Sequence, residues 1–398
     1  MAGTYRKISN KKWELCINIG YDLNGKRIRK YKYIEAKGKR EVEELLAEFV
    51  SECRKINYSK YGNIKLNEFF PLWMKDYAES SLRKKTISRY KTLWPRVDKA
   101  LGKFYLSDIR PYHLIQFYNL LKEDGIRLDK KPGGLSPTTI KHHHALLSTV
   151  LETAVTWELI SSNPCTKVKM SRIGLSNSGM RIKNEESIYT TDQIIELLSV
   201  INYAEIKYKL FINLAIFTGA RREEILGLEW CDIFYNDNKI NILRSSQYTP
   251  FDGIYEDELK NKKSQRNCYL PDDIMDILKE YKNWWNNVKR FAEKKDVWKD
   301  TNRLFIKQNG SIMHPDTPTK WFNKFLKNNN LPHTTIHKLR HAHGSILLSM
   351  GMDMSAVADQ MGHADLQMLV STYLHNMTKN STDAAKHLNN ALLKKRKN

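Results

Sequence analysis

Apolar residues occupy every second position near the start of the chain, which is the period of a strand with one buried face. These residues are Trp13, Leu15, Ile17 and Ile19. A turn signal at residues 22–25 (Asp-Leu-Asn-Gly) leads into a basic second strand over residues 26–32. From Glu41 to about Cys53 the period becomes helical. The pattern predicts a small sheet with one helix over residues 1–58.

Residues 62–170 carry apolar side chains at i, i+3 and i+4, and this spacing predicts a helical domain. Ser136 and Pro137 are a good helix start, because Ser caps the first turn and Pro needs no acceptor there. A Gly/Pro/Lys loop precedes them, from residue 129 to 135. Consecutive helical residues point about 100° apart. We therefore expect histidines 142–144 to lie on the surface or to contact phosphate, and not to share a metal ion.

Residues 171–187 are polar, contain Gly and Ser and have no period, which indicates a linker. Thr190 then caps a new helix, and a mainly helical domain follows over residues 188–385, with one strand pair around 239–270. Residues 386–398 form a short amphipathic helix with a basic tip. The predicted fold class is a multidomain, mainly α protein. It has a β-sheet-plus-helix N-terminal domain, a helical domain, and a mixed mainly-α domain with a small antiparallel sheet.

The chain is strongly basic, with 66 Lys and Arg against 44 Asp and Glu, a net charge of +22. Such a surplus indicates a polyanionic partner, although ribosomal or membrane-surface binding would account for the same charge. Residues 1–40 alone hold twelve Lys/Arg against three Asp/Glu. Either this sheet has a solvated basic face, or it enters a major groove, which is wide enough for a two-stranded ribbon. The candidate DNA contacts are Lys26, Arg27, Arg29, Lys30 and Lys32, with Lys141 in the helical domain and Lys262 in the last domain.

The five cysteines are scattered and form no CxxC pair, so neither a disulfide framework nor a zinc ribbon is expected. The N-terminus has no apolar signal region, and no stretch approaches 18 uninterrupted apolar residues. We therefore expect a reducing, cytoplasmic setting and no membrane partner.

Two motifs in the last domain place cations where a phosphate could bind. In the segment TGARREE, Thr-Gly breaks a helix and a new one begins at about Arg221, next to the positive end of its dipole. Glu224, one turn on, can orient Arg221 by hydrogen bonding, although a surface salt bridge would give the same pattern. A basic turn between two strands follows, with Lys260 and Lys262. Lysines in such a turn are usually solvated.

Two further motifs follow in the same domain. His337 and Arg340 are spaced i, i+3 at a helix start, which places them on one face, aimed at a single group. His337 and His341 have zinc-like i, i+4 spacing, but Lys338 stands where a metalloprotease needs Glu. Gly362-His363 precedes Tyr373 by ten residues, and Tyr373 is the only tyrosine in residues 282–398.

In this order and spacing, TGxRxxE…K…HxxR…GH…Y, the motifs resemble the tyrosine recombinase (phage integrase) family over about residues 188–385. The residues that carry the resemblance are Arg221, Lys260, His337, Arg340, His363 and Tyr373. The helical segment looks like the family's core-binding (SAM-like) domain, and the first 58 residues look like the arm-binding domain of integrases from phages and integrative conjugative elements. Two departures are minor: Met361 replaces the usual Leu, and Arg222 is a second arginine.

The resemblance implies a role for each of these residues. Tyr373 would be the nucleophile that forms a 3′-phosphotyrosyl link to DNA. Arg221 and Arg340 would bind the non-bridging oxygens of the scissile phosphate. His337 would transfer a proton, and His363 would support the phosphate. Lys260 would protonate the leaving 5′-oxygen, although the neighbouring Lys262 and Lys263 leave this choice open.

The chemistry suits these residues, because a phenol with a pKa near 10 needs a base or a cationic surround. Exchanging a phosphodiester for a phosphotyrosyl ester keeps the bond energy, so no metal, ATP or other cofactor is expected. The resemblance further implies a homotetramer on double-stranded DNA with core and arm sites, a directionality factor (excisionase), and a place in the bacterial nucleoid. The alternatives are a non-catalytic DNA-binding regulator on the same fold, an Xer-like resolvase, and a type IB topoisomerase, which the domain order fits poorly.

Overall fold

The computed structural model describes residues 3–21, 27–55, 64–127, 129, 131–170, 188–259 and 264–362. The chain divides into two compact units, Met1–Arg181 and Ile182–Asn398. Separate hydrophobic cores form within them, as expected for a chain longer than one ordinary domain. None of the described helices is long and apolar enough to span a lipid bilayer.

The first unit begins with a three-stranded antiparallel sheet in the order β1-β2-β3 and a helix that packs on one of its faces. The elements are β1 (Gly3–Lys7), β2 (Lys12–Tyr21), β3 (Arg27–Glu35) and α1 (Lys39–Lys55). The predicted alternation is confirmed for Trp13, Leu15 and Ile17, which are buried against Val42 and Phe49 of the helix. Strand β1 was not predicted, because its sequence GTYRK has no apolar period.

The rest of the first unit is helical, as its periodicity predicts. Its α-helices are α2 (Leu66–Trp73), α3 (Glu79–Ser81), α4 (Lys84–Leu101), α5 (Pro111–Leu120) and α6 (Pro137–Thr156), with a π-helical turn Met74–Ala78 between the first two. The core centres on Trp73, which is fully buried and donates its indole N–H to Oγ1 of Thr153 at 2.9 Å. The predicted cap is confirmed, since Ser136 Oγ accepts from the backbone N of Thr139 at 3.2 Å.

The three consecutive histidines of α6 lie in three different environments. His142 faces Arg89 at 3.3 Å, and His144 Nδ1 lies 2.9 Å from the hydroxyl of Tyr118. His143 is fully buried, and its Nδ1 bonds a backbone carbonyl one turn earlier. The expectation that all three lie on the surface or contact phosphate is therefore wrong for His143. A helix that is packed on one side must turn one of three adjacent residues inward.

The second unit is mainly helical. Its elements are α7 (Thr191–Ile201), α8 (Ile206–Thr218), α9 (Arg222–Ile225), β4 (Ile233–Phe234), β5 (Lys239–Ile242), β6 (Arg244–Thr249), β7 (Gly253–Glu258), β8 (Arg266–Tyr269), α10 (Asp272–Lys294), α11 (Thr317–Asn328), α12 (Ile336–Ser349) and α13 (Met354–Met361). Thr190 caps α7 as predicted, because its hydroxyl accepts from the backbone N of Gln193 at 3.3 Å. Helix α8 is buried over most of its length and packs against α10 and α12. The motif-bearing segments are built around α8.

The strands of the second unit form two small antiparallel sheets, β4-β5-β8 and the hairpin β6-β7. The prediction of a single strand pair around residues 239–270 was wrong in number. These strands are two to six residues long and largely polar. Each therefore shows too few alternating apolar positions for a strand to be recognised in the sequence. The predicted fold class, multidomain and mainly α with small antiparallel sheets, is confirmed.

Candidate active site

Helix α8 ends in a left-handed turn that sets the direction of Arg221. Gly219 has φ +58°, which glycine adopts without strain, and a Cβ there would lie 2.6 Å from Cδ2 of His343. Thr218 Oγ1 accepts a hydrogen bond from the backbone N of Ala220 at 3.0 Å. Arg221 follows as the N-cap of α9, so the predicted helix break is confirmed. Because α9 has only four residues, side-chain contacts orient Arg221 more than a helix dipole does.

Glu224 orients Arg221, as the sequence predicts. Its Oε1 lies 2.6 Å from Nη1 of Arg221, and its Oε2 accepts the backbone N–H of the same residue at 3.0 Å. A second arginine shares the carboxylate, since Nη2 of Arg266 donates to Oε2 at 2.9 Å. Burial raises the pKa of Glu224, but the charges of Arg266 and Arg221 outweigh it, and the net pKa is lowered. Glu224 is therefore an ionised, buried anchor.

Arg340 is almost completely buried, at 1% exposure, and joins two other motifs. Nη1 donates to the carbonyl of Gly219 in the turn before Arg221, and Nη2 donates to the carbonyl of Met361 at 2.6 Å. Burial, and then the charge of Arg221, lower the pKa of Arg340 to about 9, which leaves it cationic at neutral pH. The sequence predicted that Arg340 would aim at one group together with His337. That shared target stays a prediction; the terminal nitrogens of Arg340 contact these two carbonyls, because Gly219 and Met361 pack directly against α12.

His337 lies one helical turn before Arg340; its side chain is exposed, although neighbouring atoms displace part of the water around the ring. Burial lowers its pKa, and the nearby charges of Arg340 and Arg221 lower it further. A lowered pKa keeps the imidazole neutral at pH 7, so it can accept a proton. The ring of His341 meets it edge-on, with ring centroids 4.8 Å apart. Among the described residues, no three His, Cys, Asp or Glu side chains group closely enough to hold a metal ion.

Three of the six predicted catalytic residues therefore come together. Arg221, His337 and Arg340 are near enough for their charges to influence one another. The other three, Lys260, His363 and Tyr373, lie outside the described residues, as do Lys26, Lys262, the turn at 22–25, the linker 171–187 and the tail 386–398.

Sequence reasoning missed Arg266 and His343. Arg266, the first residue of β8, follows a basic turn whose cations looked solvated, and nothing local signals that it pairs with Glu224. His343 is 8% exposed, and its Nδ1 lies 2.8 Å from the carbonyl of Ile216 in α8. Its position six residues after His337 gave no indication that it supports the turn at Gly219.

The basic strand of the N-terminal sheet divides its side chains between two faces. Arg29 pairs with Asn18 and shares the open face with Arg27, as well as with Tyr31 and Tyr33, which are 48% and 69% exposed. Lys30 and Lys32 pair with the buried Ile17 and Leu15, so they lie on the helix-covered face. The ammonium of Lys32 lies 5.4 Å from the ring centre of Phe49. That these cations contact DNA stays a prediction, and because successive strand residues point to opposite faces, the cations are divided between the two faces of the sheet.

Lys141, the candidate DNA contact of the helical domain, is partly exposed on α6. It lies next to His142, which faces Arg89 of α4. The structure thus places Lys141 beside a pair of cationic or titratable side chains on two adjacent helices.

Comparison with known proteins gives consistent sequence matches. Residues 188–380 match the sequence profile of the Phage integrase family, and residues 65–122 match that of the Phage integrase, N-terminal SAM-like domain. The tyrosine recombinase XerC-like protein of Caldanaerobacter subterraneus subsp. tengcongensis is 26% identical over 402 residues, 98% of each chain. The ICEBs1 integrase of Bacillus subtilis is 23% identical over 399 residues, which is 97% of this chain and 99% of the relative.

Solved structures share the fold. The Tn1549 transposon integrase in complex with transposon right end DNA has a TM-score of 0.63 at 20% identity, and the match covers 83% of this chain and 100% of that one. The lambda integrase tetramer bound to a Holliday junction has a TM-score of 0.54 at 15% identity, covering 92% and 94%. Both likenesses span most of the chain.

Proposed function

Because the chain belongs to the phage integrase family of tyrosine recombinases, we propose that it cuts and rejoins DNA at specific sites to integrate and excise a mobile element. The observation that carries this proposal is the convergence of Arg221, Arg340 and a neutral His337 around the turn at Gly219. Cations beside a proton acceptor suit phosphoryl transfer, whose transition state carries negative charge on its non-bridging oxygens.

In the proposed reaction the Tyr373 hydroxyl attacks the scissile phosphorus, a 3′-phosphotyrosyl bond forms, and the 5′-oxygen leaves. Arg221 and Arg340 stabilise the pentavalent phosphorane more than the ground-state diester. Arg340 can stabilise the phosphorane in two ways. It acts through its charge alone while both carbonyl contacts are kept, or it exchanges one carbonyl contact for a hydrogen bond to the phosphate. His337 accepts the phenolic proton, because its lowered pKa makes it a neutral base.

Lys260, or Lys262 beside it, donates the proton to the leaving oxygen, and His363 hydrogen-bonds the phosphate. Attack of the 5′-hydroxyl of a second strand on the phosphotyrosyl bond reverses the chemistry and releases Tyr373. One ester replaces another in each step, so the reaction needs neither ATP nor a metal ion.

The remaining parts of the chain would hold DNA. We assign arm sites to residues 1–58, core sites to 62–170 together with the catalytic domain 188–385, and neighbour contacts in a DNA-bound homotetramer to 386–398. The linker 171–187 would join the two parts of a clamp around the exchange site. A directionality factor would select between integration and excision, and the enzyme would work on the nucleoid in the cytoplasm.

Two other functions on the same fold remain as alternatives. An Xer-like resolvase is favoured by the name of one full-length relative, and sequencing the junctions of a recombining plasmid separates it from an integrase. A non-catalytic DNA-binding regulator is the second. It is disfavoured because every residue type that the chemistry needs occurs in order in the sequence.

The proposal is tested with a nicked suicide substrate, which traps the covalent intermediate by letting the short cleaved strand diffuse away. In EDTA and without nucleotide, the unaltered chain should form a DNA adduct that resists denaturant. Tyr373→Phe should bind the same DNA with unchanged affinity and form no adduct. Tyr281→Phe, at a buried tyrosine of α10, is the matched control and should still form it. An adduct with Tyr373→Phe, or none with the unaltered chain, contradicts the proposal; an adduct only with added metal contradicts the metal-free mechanism.

A further inference from the structure

Arg266, the first residue of β8, is a buried cation that the roles above leave unused. Its side chain is 5% exposed, and that of its partner Glu224 is 3% exposed. Taking a guanidinium out of water costs several kcal/mol, which a carboxylate offsets only in good geometry. Replacing a pair of this kind by apolar residues is often neutral or stabilising. Stability alone therefore does not explain why this pair is built into the fold.

The contacts of Arg266 bring together segments that are distant in sequence. Nη2 donates to Oε2 of Glu224 at 2.9 Å, 42 residues earlier, and Nη1 donates to the carbonyl of Ser264 at 3.0 Å. Gly362 packs against it so closely that a Cβ there would lie 3.0 Å from Nη1. Ser264 directly follows the basic turn, and Gly362 directly precedes His363. One guanidinium thus contacts the Arg221 motif and the nearest described residues of two other motifs.

Arg221 and Arg266 divide the carboxylate of Glu224 between them. Arg221 Nη1 bonds Oε1, while Arg266 Nη2 bonds Oε2. With both oxygens engaged, the carboxylate has one orientation, and it holds the Nη1 nitrogen of Arg221, whose side chain is 36% exposed. Oε2 also accepts the backbone N–H of Arg221 at 3.0 Å, so without Arg266 the carboxylate would be held only by the residue that it orients, and the direction of the Arg221 guanidinium would be set less firmly.

We propose that Arg266 is a positioning residue for strand cleavage, which fixes Glu224 and through it the direction in which Arg221 meets the scissile phosphate. The inference rests on the proposed function, because it requires Arg221 to bind that phosphate. Arg266 itself touches neither DNA nor the reacting atoms. Catalytic groups that are displaced by about 1 Å lose on the order of 100-fold in rate, so such a residue acts on the chemical step more than on binding.

The test compares Arg266→Gln, Arg266→Lys, Glu224→Gln and the double variant Glu224→Gln/Arg266→Gln. Three quantities are measured for each full-length variant: the single-turnover rate of adduct formation on the nicked substrate, the affinity for intact DNA, and the melting temperature. Arg244→Gln is the matched control. Arg244 is also a poorly exposed arginine that pairs with carboxylates in the same unit, those of Asp232 and Glu229.

We expect Arg266→Gln to form the adduct at least tenfold more slowly, with DNA affinity changed less than threefold. Arg266→Lys should recover part of the rate, because an ammonium still pairs with Glu224. The double variant should be no slower than the slower single variant, since both substitutions release the same contact. Arg244→Gln should lower the melting temperature and leave the rate of the folded protein unchanged.

Three results would overturn the inference. These are a rate for Arg266→Gln within threefold of the unaltered chain, rate losses that multiply in the double variant, and an Arg244→Gln variant that is slowed as much as Arg266→Gln. If Arg266→Gln unfolds at the assay temperature, Arg266→Lys decides through the same rate and affinity measurements. Failure of the proposed function is separate, because the unaltered chain would then form no adduct at all.

Discussion

At the scale of single residues, the candidate site depends on buried cations: Arg340 is 1% exposed, and the side chain of Arg266 is 5% exposed. Arg221, His337 and Arg340 could be found because their motifs are local and occur in a specific order. The burial of Arg340, and the contact of Arg266 with Glu224 across 42 residues, depend on how α9, α12 and β8 pack together. No local pattern predicts these contacts, since Lys and Arg residues in or next to a basic turn are usually solvated.

His343 should make stability depend on pH in a defined window. Burial lowers its pKa to about 4, although its bond to the Ile216 carbonyl opposes the shift. In the unfolded chain its pKa is about 6.5. The folded state therefore binds fewer protons, and the stability present above pH 6.5 is lost as the pH falls towards 4, by roughly 3 kcal/mol.

This expectation is checked by urea unfolding of the full chain at pH 7 and pH 4.5. His343→Gln removes the titrating group, so its free energy of unfolding should fall less between the two pH values than that of the unaltered chain. Equal losses in the unaltered chain and His343→Gln would contradict the assignment.

At the scale of elements, long helices were predictable and short strands were not. A helix such as α6 repeats its apolar period several times over 20 residues and carries a recognisable cap at Ser136. Strand β4 has two residues and β8 has four, so neither completes a readable alternation. For the basic strand β3, a count of charges did not distinguish the two faces of the sheet. The alternation of its side chains is what assigns each cation to a face.

Because β3 has two faces, we expect different effects from two substitutions that each remove one positive charge from this strand. Arg29 lies on the open face, and Lys32 lies on the face that α1 covers. If the open face enters a major groove, Arg29→Ala should weaken binding at arm sites by about 1–3 kcal/mol. Lys32→Ala, the matched control, removes the same charge and should have a much smaller effect.

Footprinting of the full chain on the DNA that flanks its gene measures both variants. Protection of the outlying sites should require more Arg29→Ala protein, while protection of the core site stays unchanged. Equal losses for the two variants would mean that only net charge matters there. A larger loss for Lys32→Ala would place the DNA on the other face of the sheet.

At the scale of the whole molecule, the charge of +22 indicates a polyanion without choosing among nucleic acid, ribosome and membrane surface. The family matches favour nucleic acid, because the matched profiles cover parts of both units and two relatives that match over 97–98% of the chain are named a tyrosine recombinase and an integrase. The net charge then bears directly on the affinity for DNA. If Lys and Arg from both units contact DNA phosphates, many condensed counterions are released together.

The affinity for DNA should therefore fall steeply with salt. For a protein that makes about 6–10 phosphate contacts, raising monovalent salt from 50 to 200 mM weakens binding by roughly 10³–10⁵-fold. Fluorescence anisotropy with labelled duplex across this range gives the slope of log affinity against log salt. Anionic vesicles at equal phosphate concentration are the competitor that distinguishes DNA from a membrane surface. We expect the protein to retain the duplex in the presence of these vesicles. Displacement of the duplex, or a loss of DNA affinity of less than tenfold across the salt range, would show that the basic surplus serves another partner.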